Sequence, residues 1–122
     1  MTGPGRRAIG GVMSEMKRFT LADLEKRVQE RAKASASESY TRALLDKGVA
    51  HCAKKLGEEA VETVLAALQD DKGNLIAESA DLLYHFLVVL ESRGVTLAEV
   101  EAVLEKRTAQ SGHQEKASRS SD

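Results

Sequence analysis

Tryptophan is absent from this chain, and aromatic residues of every kind make up only 3% of its 122 positions. A core must therefore be aliphatic, built from Leu, Val, Ile and Ala. One proline is present, Pro4, so no ring interrupts the chain beyond its first few residues. β-branched runs are few in the middle of the chain, and that balance favours helices. The one cysteine, Cys52, excludes an internal disulfide and suits a reducing, cytoplasmic setting. A formal net charge of -1 gives no global attraction to nucleic acid or to a membrane surface. No stretch reads as long enough to span a bilayer.

What is present fits one domain. Residues 1–16 hold Arg6-Arg7 followed by the apolar run 8–13, which is too short and too glycine-rich for a secretory segment. The expectation is a disordered leader over 1–16, a working domain over 17–108, and a disordered polar tail over 109–122.

Within the domain the periodicity predicts a helical architecture. Thr20 N-caps a first helix with Leu21, Leu24 and Val28 at helical spacing, fading near Lys33. A short turn or helix follows at 39–45 and ends at Gly48. A long helix over 49–69 carries an apolar stripe of Val49, Ala53, Leu56, Ala60, Val64 and Leu68, with Lys55, Glu58, Glu59 and Glu62 in a sector away from it. Gly57 within this helix costs about 1 kcal/mol relative to Ala; close approach of another backbone would explain it. After a polar turn at 69–74, the next helix, 75–92, is apolar over most of its circumference, as expected of a helix buried on several sides and shared with a second subunit. Thr96 and Glu99 form a capping box for a last helix, with Leu97, Val100, Val103 and Leu104 facing inward.

Two acid pairs carry the chemistry: Glu59-x-x-Glu62 in one long helix and Glu78-x-x-Asp81 in the next. Each pair has i, i+3 spacing and lies on one helix face. A short connection makes the two helices antiparallel neighbours. Counted outward from the loop, Glu62 comes level with Asp81 and Glu59 with His85, and Glu78 lies one turn, about 5.4 Å, nearer the loop. Carboxylates brought together in an apolar groove repel one another and lose hydration. They must protonate, pair with cations such as Lys54 and Lys55, or bind a metal. An all-oxygen donor set suits Mg²⁺ or Mn²⁺, held together with substrate phosphates. The plain alternative for Glu58, Glu59 and Glu62 is a solvated helix face; for Glu78 and Asp81, set among Leu and Val, it is weaker. His85 shares the acid sector and is either a ligand for phosphate or a satisfied core residue. Cys52 reads as a small buried side chain. His51 and His113 form no zinc pattern, and no catalytic triad, P-loop or dinucleotide fingerprint occurs.

Three segments in order carry a resemblance: Ser39-Tyr40-Thr41-x-x-Leu44, Lys54-Lys55-Leu56-Gly57-Glu58-Glu59-Ala60-x-Glu62, and Glu78-x-Ala80-Asp81-Leu82-Leu83-Tyr84-His85. The acid pattern resembles that of the MazG-like all-α nucleoside triphosphate pyrophosphohydrolases. The three segments together resemble phosphoribosyl-ATP pyrophosphohydrolase of histidine biosynthesis, in its free-standing form. The resemblance implies an all-α, antiparallel multi-helix bundle completed by dimerisation, acting on phosphoribosyl-ATP with Mg²⁺ and with neither nucleic acid nor membrane as partner. It implies that Glu59, Glu62, Glu78 and Asp81 bind metal and that catalysis rests on Glu58, Glu59 and Glu62. Glu58 would be a further ligand or the base that orients water. Lys54, Lys55, Ser39, Tyr40, Thr41 and His85 are the substrate-binding candidates; for Ser39, Tyr40 and Thr41 the alternative is helix capping, and for the lysines an ordinary surface role. A house-cleaning pyrophosphohydrolase would share the acids, and a non-catalytic helical dimerisation module would lack metal dependence.

Overall fold

The computed structural model describes residues 17–109. The leader expected over 1–16 and the tail expected over 109–122, apart from Ala109, lie outside the described residues, as does His113. Among the described residues the secondary structure is five α-helices and no strand: α1 (Leu21–Arg31), α2 (Tyr40–Asp46), α3 (Val49–Ala67), α4 (Lys72–Ser92) and α5 (Leu97–Thr108). The all-α bundle expected from the sequence is what the chain forms.

Local signals set the helix ends. Thr20 and Thr96 each accept from the backbone N–H three residues on, and Asp23 and Glu99 return the bond, so α1 and α5 both open with a capping box. Asp71 N-caps α4 by accepting from the Asn74 N–H. That helix therefore starts at Lys72, three residues earlier than the polar stretch suggests. Gly48 joins α2 to α3 with φ +95°, and Gly94 follows α4 with φ +68°, both in the left-handed region that favours glycine.

The long helices α3 and α4 pack along one another as an antiparallel hairpin; α1 packs against α2 and α4, and α2 packs against both long helices. Val28, Leu44, Cys52, Leu87, Val88 and Leu97 form the core. The Cys52 thiol donates to the Leu44 carbonyl at 3.3 Å, and burial pushes its pKa up, so it is an inert core thiol. The α5 start is fastened by Glu25 of α1, whose carboxylate accepts from the Leu97 N–H at 2.8 Å. This bond satisfies an orphan donor of the first turn and places negative charge at the positive end of the helix.

Four expectations are corrected. The stripe of α3 that includes Val49, Ala53, Val64 and Leu68 does not face the core: Val64 is 60% and Leu68 80% exposed. The inward positions of α3 are Cys52, Glu59 and Ala66. Of the α3 acids only Glu59 is buried, Glu58 and Glu62 being exposed, while the aliphatic residues Val61, Val64, Leu65 and Leu68 point out. Similarly, only Leu97 of the α5 apolar set is buried, and Val103 and Leu104 are about half exposed, because α5 departs from the bundle after its first turn. Gly57 has no neighbouring backbone; a Cβ there would meet open space. Finally, α4 has the length and apolarity of a membrane span after all. That match is by length and composition alone, and His85, Leu87 and Val88 of this helix are buried within the chain.

Candidate active site

The acids meet where α3 and α4 run side by side. Thr63 ties the helices together at this level: its hydroxyl donates to the Glu59 carbonyl at 2.8 Å and lies 3.2 Å from the Glu78 carbonyl of α4. Carboxylate oxygens of Glu59, Glu78 and Asp81 lie within 4.8 Å of one another. Glu62 is outside this trio, but its negative charge acts on Glu78. The early start of α4 accounts for this register. It moves the second helix along the first, so that Glu62 faces Glu78 rather than Asp81.

The trio is electrostatically strained. Burial, then the negative charge of Glu62 and a hydrogen bond with it, then Asp81 and Glu59, push the Glu78 pKa up. One Glu78 oxygen is buried with no hydrogen-bond partner. A buried acceptor left in this way is costly unless something positive completes it. Three oxygen donors with an orphaned lone pair among them fit a hard divalent cation.

His85 follows one turn beyond Asp81 on α4. It is 6% exposed and its Nδ1 has no partner. Burial pushes its pKa down, partly offset by the negative charge of Glu59, so the imidazole is neutral at pH 7. Tyr84 stands edge-on to it at 5.0 Å between ring centroids, and Tyr40 edge-on at 6.4 Å. The Tyr84 hydroxyl is bonded to Thr41 Oγ1 at 2.6 Å, which locks α2 onto α4. Ser39 is the N-cap of α2: its hydroxyl accepts from the Arg42 N–H and donates to the Arg31 carbonyl. Tyr40, between them, is 59% exposed and lies roughly parallel to Tyr84. Of the two lysines, Lys54 is exposed. Lys55 pairs with Glu58 at 3.4 Å, and that partner raises its pKa.

The model of the phosphoribosyl-ATP pyrophosphohydrolase family matches residues 21–108. The chain belongs to this family. Among curated relatives, it is 64% identical over 104 residues to phosphoribosyl-ATP pyrophosphatase 1 of Bradyrhizobium diazoefficiens, covering 85% of this chain and 98% of the relative. It is 64% identical over 102 residues to phosphoribosyl-ATP pyrophosphatase of Azorhizobium caulinodans, covering 84% and 94%. It is 60% identical over 107 residues to phosphoribosyl-ATP pyrophosphatase 1 of Rhodopseudomonas palustris, covering 88% and 100%.

All helices of the structure fall within the family match. The fold thus gathers Glu59, Glu78 and Asp81, sets Glu62 and His85 at their margin, and leaves Glu58 and Lys54 on the outer side. Sequence reasoning misses Thr63 and Tyr84 as parts of this arrangement. Tyr84 lies inside a quoted motif, but a tyrosine in a core helix gives no sign of its hydroxyl partner. Thr63 looks like any helical threonine until the opposing helix is in place.

Proposed function

We propose that this chain hydrolyses phosphoribosyl-ATP to phosphoribosyl-AMP and pyrophosphate, the second step of histidine biosynthesis, in the cytoplasm. The observation that carries this reading is the convergence of Glu59, Glu78 and Asp81 on one small volume, with an orphaned oxygen among them, in a chain of this family. Water attacks phosphorus, the α–β bridging bond breaks, and the pair of electrons leaves with pyrophosphate.

Glu59, Glu62, Glu78 and Asp81 would hold the metal. Mg²⁺, or Mn²⁺ in its place, supplies neutralisation of the triphosphate charge and stabilisation of the leaving pyrophosphate. The chain's own groups do the rest. Glu58, Glu59 and Glu62 form the catalytic carboxylates, with Glu58 orienting water or accepting its proton. Lys54 and Lys55 meet phosphate oxygens; Lys55 exchanges Glu58 for phosphate when it does so. Neutral His85 offers its free Nδ1 side to a phosphate oxygen or an acid. Tyr40 closes over the substrate, held by the Ser39 cap and the Thr41–Tyr84 bond.

The working unit we propose is a homodimer. The exposed aliphatic residues Val61, Val64, Leu65 and Leu68 of α3, with Ile76 and Leu83 of α4, call for a partner of the same kind. Folded protein incubated with phosphoribosyl-ATP and Mg²⁺ should release pyrophosphate, and a panel of aberrant nucleoside triphosphates should be poorer substrates. Folded protein that releases none from phosphoribosyl-ATP refutes the assignment; preference for an aberrant nucleotide redirects it to house-cleaning.

A further inference from the structure

Phosphoribosyl-ATP differs from ATP by a second ribose bearing its own phosphate, and the acid cluster does nothing to recognise that end. A separate cavity beside the cluster has the chemistry to do so. It measures about 410 Å³ and is lined by Arg31, Glu38, Ser39, Tyr40, Thr41 and Tyr84, with Ala34 at its edge. That is within the size range of small-molecule sites.

Its connection to the acids is direct. Tyr84 lies three residues beyond Asp81 on α4, about 4.5 Å along the axis. Tyr40 and Tyr84 both stand edge-on to His85, and His85 feels the charges of Glu59 and Asp81. A ligand whose triphosphate is held at the acids can therefore run past the exposed face of Tyr40 into the cavity.

Arg31 is the cation at that far end. It ends α1, and its backbone carbonyl is held by the Ser39 hydroxyl, so the base of the side chain is fixed. Its guanidinium has no hydrogen-bond or ion-pair partner among the described residues, unlike Arg42, which is spent on Asp46 and the Ala32 carbonyl. A planar guanidinium is suited to a terminal phosphate, which it grips with two parallel bonds. We infer that Arg31, with the Tyr40 ring as a stacking platform, forms a subsite that binds the phosphoribosyl phosphate and so discriminates phosphoribosyl-ATP from ATP. The subsite rests on the functional reading above and adds to it the residue that recognises the distinguishing group.

Arg31→Ala tests this on the full chain, with folding checked by circular dichroism. KM for phosphoribosyl-ATP should rise about ten- to a hundredfold, the loss expected for a charge-assisted bond, while kcat falls far less. Arg31→Lys, which keeps the charge but not the fork, should recover part of the loss. Ribose 5-phosphate, titrated by calorimetry or by resonances of Tyr40 and Tyr84, should bind the wild type and not Arg31→Ala. An unchanged KM, or a fall in kcat alone, overturns the subsite. Wild-type protein inactive on phosphoribosyl-ATP would refute the functional assignment instead. The ribose 5-phosphate titration then decides the cavity by itself: binding that depends on Arg31 supports it, and absent or equal binding overturns it.

Discussion

Thr41 and Tyr84 offer the sharpest test of how the α2 wall is held against the long helices. The pair is separated by 43 residues, the O···O distance is 2.6 Å, and the threonine is 1% exposed. Thr41→Val preserves shape and removes the hydroxyl. The Tyr84 phenol then faces a methyl group; because Tyr84 is only partly buried and lines the cavity, the cost should be about 1 kcal/mol, the low end for a stranded hydroxyl. Tyr84→Phe removes the other partner and strands the hydroxyl of Thr41, which lies in the first turn of α2 and is 1% exposed, at a cost of about 1–3 kcal/mol. With both gone, no polar group is stranded, so the double variant should be destabilised by less than the sum, with a coupling of about 1 kcal/mol. Urea unfolding reads this directly. For a domain of this size the midpoint should move about 1 M for each kcal/mol lost. Protomer concentration must be held fixed, because an assembling chain has a concentration-dependent midpoint. Additive effects, with coupling below about 0.3 kcal/mol, would refute the claim that this bond fastens α2.

Asp81→Asn or Glu62→Gln should abolish pyrophosphate release while leaving the helical signal intact; unchanged turnover would remove those residues from the site. Sedimentation should show a dimer at micromolar concentration, and Val64→Glu with Leu68→Glu should shift it to monomer; a folded wild-type monomer would refute the proposed assembly. In metal-free protein two groups pull stability in opposite directions with pH. The raised Glu78 pKa means that the folded chain is penalised while this group is ionised, so acid removes a penalty, and Glu78→Gln should abolish that gain. The lowered His85 pKa means that its contribution is whole above 6.5 and is lost as pH falls below it, so His85→Asn should remove that loss. Melting temperatures from pH 7 to pH 5 check both, and variants that track the wild type at every pH would refute the burial of these groups.

The legible parts of this chain were those set by local chemistry. Thr20, Thr96 and Glu99 announce their helix starts because a capping box is closed within four residues. The acid pairs are legible because i, i+3 spacing fixes a shared face before any tertiary contact exists. What required the opposing helix was register. The Asp71 cap starts α4 early, and three residues of displacement change which acid faces which. Orientation was the other illegible quantity. An apolar stripe and an acid sector on α3 say that the helix has two faces, and the usual assumption puts the apolar one inside. Here Glu59 is buried and Leu68 is exposed. A hydrophobic pattern specifies that a face will be covered, not whether its own chain covers it.

That inversion links the two halves of the proposal. An isolated protomer with Glu59 and Glu78 turned inward and Val61, Val64, Leu65 and Leu68 turned outward is disfavoured twice, by repulsion within and by exposed apolar area without. Reversing α3 would relieve both penalties at once but would dissolve the acid cluster. The proposed metal and the proposed second subunit would each relieve one of these penalties, positive charge on the inner side and an aliphatic surface on the outer. Thr63 holds the helices in that arrangement by tying α3 to α4 at the level of the acids. Because a cation and a second subunit would both favour this packing over any alternative, each should strengthen the binding of the other, as linkage requires of two ligands that select one state.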